Sequence, residues 1–225
     1  MITIVSGLPR TGTSLKMQML AAGGMTLLTD FERKPDEDNP RGYCEWEPAK
    51  LLPKQPELID EAEGKAVKII SQLLMSIPAG RNYKIIFMQR SLAEVLASQD
   101  EMLRRRGSSD LVEHDLMASA FEKHLEEAKA WLKKKDIPVC FLRYKNLVND
   151  PMGSARTVRD FLSLDLNLNA MAQQADMSLY RNRQRNFLWR LLRRYSPFFA
   201  RTILARPNSG RSEWLPSWQF FNSCA

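Results

Sequence analysis

Short apolar runs rich in β-branched residues alternate along the chain with longer amphipathic stretches. The runs are Ile2–Ser6, Ala66–Ile70, Lys84–Met88 and Pro138–Leu142. The stretches Thr13–Ala22, Leu92–Arg106, Leu111–Lys134 and Met152–Leu162 repeat their apolar positions at helical spacing. Strands of this kind, apolar on both faces and separated by helices, predict an α/β fold. Its mostly parallel central sheet is flanked by helices in three layers. Ligands of such folds bind at the carboxyl ends of the strands.

Residues 30–64 break the alternation, being rich in Asp, Glu, Pro and Lys. They are expected to form a loop with short helical pieces over the binding cleft. No repeat or linker is evident, and at 225 residues and 44% hydrophobic content one domain over 1–225 is expected. A net charge of +7 and a pI near 9.4 point to anionic partners. Nucleotides, nucleic acid, sulfated or phosphorylated substrates and membrane surfaces all satisfy that condition. Cys44, Cys140 and Cys224 lie far apart and His114 and His124 have no ligand spacing, which argues against a disulfide framework or a metal site. Met1 runs directly into the first strand rather than into a leader, so a cytoplasmic location is expected, with peripheral membrane attachment left open.

The strongest local signal follows the first strand: Gly7-Leu8-Pro9-Arg10-Thr11-Gly12-Thr13-Ser14, opening the first helix. Its spacing is that of a P-loop with Thr13 in the lysine position. Glycines let the backbone wrap an anion, and the helix N-terminus adds unpaired N–H groups and a favourable dipole. The missing lysine, which in ATP-using enzymes contacts the β- and γ-phosphates, weighs against a standard kinase. Arg10 supplies a cation from a different place in the loop.

Arg10-Thr11-Gly12-Thr13-Ser14 resembles the 5′-phosphosulfate loop of the sulfotransferase family. Two further elements fit that family in order. Arg90 at a strand end, with Ser98 eight positions later in the next helix, matches its 3′-phosphate motif. Tyr144, in a segment running to Asp150-Pro151 and a helix, matches its adenine-side segment. Asp150 and Pro151 also read simply as an N-cap and first helical residue. The resemblance implies a P-loop-type fold and a 3′-phosphoadenosine 5′-phosphosulfate donor held by Pro9, Arg10, Thr11, Gly12, Thr13, Ser14, Arg90, Ser98 and Tyr144. It implies transfer of a sulfuryl group to a hydroxyl or amine, with no metal required.

Arg10 would stabilise the departing phosphate and Lys68, at a strand end, the group in transfer. The family's histidine or glutamate base is sought between the loop and Arg90, where this chain has no histidine. Glu45, Glu47, Asp30 and Glu32 are candidates, with Glu45 preferred. The chain departs from the family in carrying Leu15 where a tryptophan commonly follows the loop. Asn208-Ser209-Gly210-Arg211 is a weak counterpart of its late basic–glycine segment.

Nine arginines and no acidic residue occupy 181–211, interleaved with apolar residues at helical spacing. A basic helical region at about 178–206 is expected to pack on the core, meet an anionic membrane, or guide a polyanion. Nucleic acid is disfavoured, since no recognised motif accompanies the charge. Two other readings remain open at this point, a P-loop nucleotide kinase and a non-catalytic nucleotide-binding module that docks on a membrane or partner.

Overall fold

The computed structural model describes residues 1–30, 32–105, 107 and 114–180. By its contacts the chain divides into two compact units, Met1–Phe187 and Leu188–Ala225. The second unit lies outside the described residues, as do most of the 178–206 region and the segment 208–211.

Within the first unit the sheet has five parallel strands in the order β2-β3-β1-β4-β5. These are β1 (Ile2–Gly7), β2 (Leu27–Leu28), β3 (Ala66–Lys68), β4 (Tyr83–Gln89) and β5 (Val139–Arg143). The pleat explains why the runs are apolar throughout. Ile2 and Ile4 of β1, with Ile85 and Phe87 of β4, face one buried cluster, whereas Val5, Ile86 and Met88 face the other.

The second of these faces is covered by α1 (Thr13–Ala22), α5 (Tyr144–Asn149), α6 (Pro151–Leu162) and α7 (Leu168–Gln173), which contribute Met17, Leu20, Leu147, Val158 and Met171. The opposite face is covered by α4 (His114–Lys134), α2 (Ser71–Leu74) and the 3₁₀ turns Glu47–Leu51 and Pro56–Ala62. Trp46, Leu52, Ile59, Leu74 and Leu132 fill that side. The remaining helix, α3 (Leu92–Arg105), follows β4.

The sheet matches the expected architecture, and the first helix has the expected bounds. Strand β3 is shorter than the apolar run, although Ile69 N–H still reaches the Val5 carbonyl at 3.1 Å. Asp150 caps α6 by accepting from Gly153 N–H at 2.9 Å, with Pro151 at the first helical position. Residues 30–64 are the loop with 3₁₀ pieces that their composition implied.

The strand order also locates the site. From β1 the chain passes to β2 and β3 on one side of it and then to β4 and β5 on the other. The connections therefore diverge at the carboxyl end of β1, and a crevice opens there.

Candidate active site

At that crevice the chain turns through residues 7–12 from β1 into α1. Gly7 has φ 146°, and a Cβ placed on it would lie 2.6 Å from the Met88 carbonyl oxygen and 2.7 Å from Thr11 Oγ1. Gly12, the N-cap residue, has φ 94°, and its Cβ would lie 2.4 Å from the Tyr144 ring. Both positions thus require glycine for conformation and for space. Arg10 adopts a left-handed φ of 69° without being glycine, a conformation that costs about 1 kcal/mol or more. Buried Thr11 closes the turn by donating its hydroxyl to the Leu8 carbonyl at 2.6 Å. Among the described residues no side chain caps α1, and its first turn carries no acidic residue, so its leading N–H groups stay available to an anion.

On the β4 side of the loop stands a packed cationic group. Arg90, one residue beyond β4, donates from Nε to Glu94 Oε2 at 3.0 Å and from Nη1 to the Arg10 carbonyl at 3.0 Å. Both partners of the Arg90–Glu94 pair are below 10% exposed. The guanidinium lies 4.7 Å from the Tyr144 ring centre and 5.4 Å from that of Tyr180, and the two rings meet edge-on at 5.1 Å. Tyr180 donates its hydroxyl to Glu94, and burial together with that carboxylate pushes its pKa up to about 12. Ser98 is buried in α3 and accepts from Arg10 Nε at 2.9 Å. Burial lowers the pKa of Arg10, which the charge of Asp38 partly offsets.

On the β3 side the arrangement is more open. Lys68 Nζ donates to the Tyr43 carbonyl at 2.7 Å and to Glu45 Oε1 at 3.0 Å, and stands 3.5 Å from Ser14 Oγ. Burial lowers the pKa of this ammonium, and Glu45 opposes the shift. Arg33 grips the same carboxylate at 3.2 Å and stacks 3.4 Å over the Tyr43 ring. Ser14 donates to the Tyr43 carbonyl at 3.1 Å, tying the loop to residues 43–45.

Arg10, Ser98, Arg90 and Tyr144 therefore gather on one side of the loop, and Lys68 and Glu45 on the other. Thr13 is buried at the start of α1, and Pro9 is half-buried. Two residues behave differently from a plain ligand set. Tyr144 is 7% exposed with its ring against Gly12, and Arg10 points toward Ser98 rather than toward Lys68. Among the other carboxylate candidates, Asp30 accepts from the Glu47 and Glu32 backbone N–H groups and Glu47 pairs with Lys50. His124 Nε2 lies 3.0 Å from Ser71 Oγ.

Sequence reasoning missed Glu94, Tyr180, Arg33 and Tyr43. Of these only Glu94 had a readable signal, a carboxylate four positions beyond Arg90 in the first turn of the following helix. Also missed was Lys16, fully buried in α1, whose ammonium has no hydrogen-bond partner among the described residues and whose pKa falls to about 7 through burial.

A family model described as the sulfotransferase domain matches residues 2–191. The chain belongs to the sulfotransferase family. The match spans both sides of the loop and every site residue named above. No curated protein matches the sequence. Among solved structures, the sulfotransferase STF1 from Mycobacterium tuberculosis is similar at 16% identity and a TM-score of 0.52, covering 88% of this chain and 76% of that one. A sulfotransferase from Alicyclobacillus acidocaldarius is similar at 16% identity and a TM-score of 0.46, covering 89% and 93%. The sulfotransferase domain from the curacin biosynthetic pathway gives 14% identity, a TM-score of 0.46 and coverage of 78% and 77%. At these identities the likeness to STF1 concerns the fold, the same three-layer arrangement around a parallel sheet. In this sulfotransferase no helix among the described residues is long and apolar enough to cross a membrane.

Proposed function

We propose that this sulfotransferase uses 3′-phosphoadenosine 5′-phosphosulfate and transfers its sulfuryl group to a hydroxyl or amine of an acceptor. The observation that carries the reading is the loop's position between two cationic groups, Arg10–Ser98–Arg90 on one side and Lys68 on the other. A nucleotide with anionic groups at both its 3′ and 5′ positions suits that layout.

In this reading the N–H groups of residues 10–14, with Thr13 and Ser14, hold the 5′-phosphosulfate. Ser98, Arg10 and Arg90 take the 3′-phosphate end, and Arg10 can also reach back over the loop as the phosphate departs. Tyr144 fixes Gly12 and offers the adenine only the small ring edge it exposes. The acceptor oxygen or nitrogen attacks sulfur in line, the bond from sulfur to the bridging 5′-phosphate oxygen breaks, and negative charge grows on that oxygen. Lys68 stands where it can balance this charge.

Glu45 accepts the acceptor's proton once its grip on Lys68 is released. The donor's sulfate provides the release, since an anion beside Ser14 competes with Glu45 for the same ammonium. Donor binding and the arming of the base are then one event.

The test is turnover with the sulfated donor against a panel of phenol, carbohydrate, lipid and amine acceptors, alongside calorimetry with adenosine 3′,5′-bisphosphate and with ATP and magnesium. The reading expects tight bisphosphate binding, weak ATP binding and sulfation of at least one acceptor class. Stronger binding of ATP than of the bisphosphate would overturn it in favour of a kinase.

A further inference from the structure

At the mouth of the β4 side an acidic turn reaches into the cationic group. The Asp36 carboxylate accepts from the N–H groups of Asp38 and Asn39 at 2.9 Å each, and from the Tyr43 hydroxyl. The same loop is tied down by Gln18, which donates to the Arg41 and Gly42 carbonyls, and by Arg41, which pairs with Asp176. So held, the turn presents Asp38 inward, its side chain 6% exposed.

Arg105 Nη1 donates to Asp38 Oδ1 at 2.8 Å, and Arg10 Nη2 stands 3.9 Å from the same oxygen. Arg10 in turn donates to Ser98. Arg105 lies seven residues beyond Ser98, two helical turns along the same face of α3. Glu101, one turn earlier, accepts from its Nη2 at 3.0 Å and steadies it.

One carboxylate thus faces two guanidiniums, one of which also holds the Ser98 hydroxyl, and paired guanidiniums are a donor set that recognises a phosphate. The fit is good to Arg105 and poor to Arg10, which is too far away for a hydrogen bond. A phosphate is wider, carries more charge and has three free oxygens, so it can engage both guanidiniums together. The place lies across the loop from Lys68 and Glu45, so the anion that belongs there is the one remote from the transferred group.

Resting on the donor assignment above, we propose that Arg105 is a further donor-binding residue and that Asp38 keeps the place of the donor's 3′-phosphate, which displaces it on binding. The exchange makes a 3′-phosphate the condition for entry, because a nucleotide without one leaves Asp38 seated. It also couples donor binding to movement of the 36–42 turn across the mouth of the site.

Titrating adenosine 3′,5′-bisphosphate and adenosine 5′-monophosphate into the wild type, Asp38→Asn and Arg105→Ala tests this, with thermal melting as the check on folding. The bisphosphate is expected to bind roughly tenfold tighter to Asp38→Asn and roughly tenfold weaker to Arg105→Ala, the monophosphate changing less than about twofold in either. Bisphosphate binding unchanged or weakened in Asp38→Asn would make Asp38 a loop anchor and overturn the exchange. Unchanged binding in Arg105→Ala would remove Arg105 from the site. Should Arg105→Ala melt early, Arg105→Lys keeps the charge, loses the paired hydrogen bonds and is expected to weaken the bisphosphate alone. A wild type that binds both nucleotides equally would instead defeat the donor assignment, and the exchange with it.

Discussion

The two sides of the 7–12 loop are built differently. On the β4 side, Arg90 is held by a buried carboxylate, a backbone carbonyl and two aromatic rings, and Ser98 rides on a helix. On the β3 side, Lys68 and Glu45 are held largely by each other and by residues of an irregular loop, with Glu45 and Arg33 part-exposed. A rigid site suits recognition of an invariant donor, whereas ion pairs that can exchange partners suit the changes of charge that accompany transfer. On the proposed assignment, binding and chemistry are divided across the loop and can be separated by substitution.

The sharpest separation is expected from Lys68→Met, which should lower kcat by a hundred- to a thousandfold while changing bisphosphate affinity little. Steady-state kinetics beside calorimetry checks it. A large loss of bisphosphate affinity would merge the two sides.

Next comes Lys16→Met, at a buried position of α1 that interacts with Cys140 of β5, which should alter neither side. Its folded pKa, about 7, is depressed from the usual lysine value of 10.5. Below pH 7 the folded state carries a buried charge. Between pH 7 and about 10.5 only the unfolded state is protonated, so wild-type stability rises with pH across that window. The methionine variant lacks this rise and is expected to be more stable by about 4 kcal/mol at pH 7, with the gap closing toward pH 10. Denaturation at several pH values measures it.

A smaller effect is expected from Glu94→Gln, which removes the carboxylate charge paired with buried Arg90. Stability should fall by about 2–3 kcal/mol, and bisphosphate affinity should fall with it, while kcat at saturating donor stays close to wild type. The smallest change, Tyr180→Phe, removes one buried hydroxyl from Glu94 and should cost about 1 kcal/mol in a denaturant titration.

The same division explains what could be read in the sequence. The regular side was legible because spacing carries it. A strand end followed by a helix fixes where Arg90 and Ser98 fall, and the glycines of 7–12 mark a turn that only glycine can make. Strands β1 and β4 stood out as apolar runs because both of their faces are buried. The two residues of β2 and the six of α5 and α7 are too short to show a period.

The partners brought in from far along the chain were not legible, since packing rather than pattern sets them. Tyr180 meets Glu94 across 86 positions, and Arg105 meets Asp38 across 67. Composition marked 30–64 as a loop but could not say that Asp38 turns inward while Asp30 caps a backbone. Lys16 escaped notice because a lysine on an amphipathic helix is ordinarily assigned to solvent.

The most direct test of the division is calorimetric titration of adenosine 3′,5′-bisphosphate into Ser98→Ala and Lys68→Met beside the wild type. The account expects roughly tenfold weaker binding to Ser98→Ala and less than about twofold change for Lys68→Met. Normal binding to Ser98→Ala, or an equal loss in Lys68→Met, would contradict it.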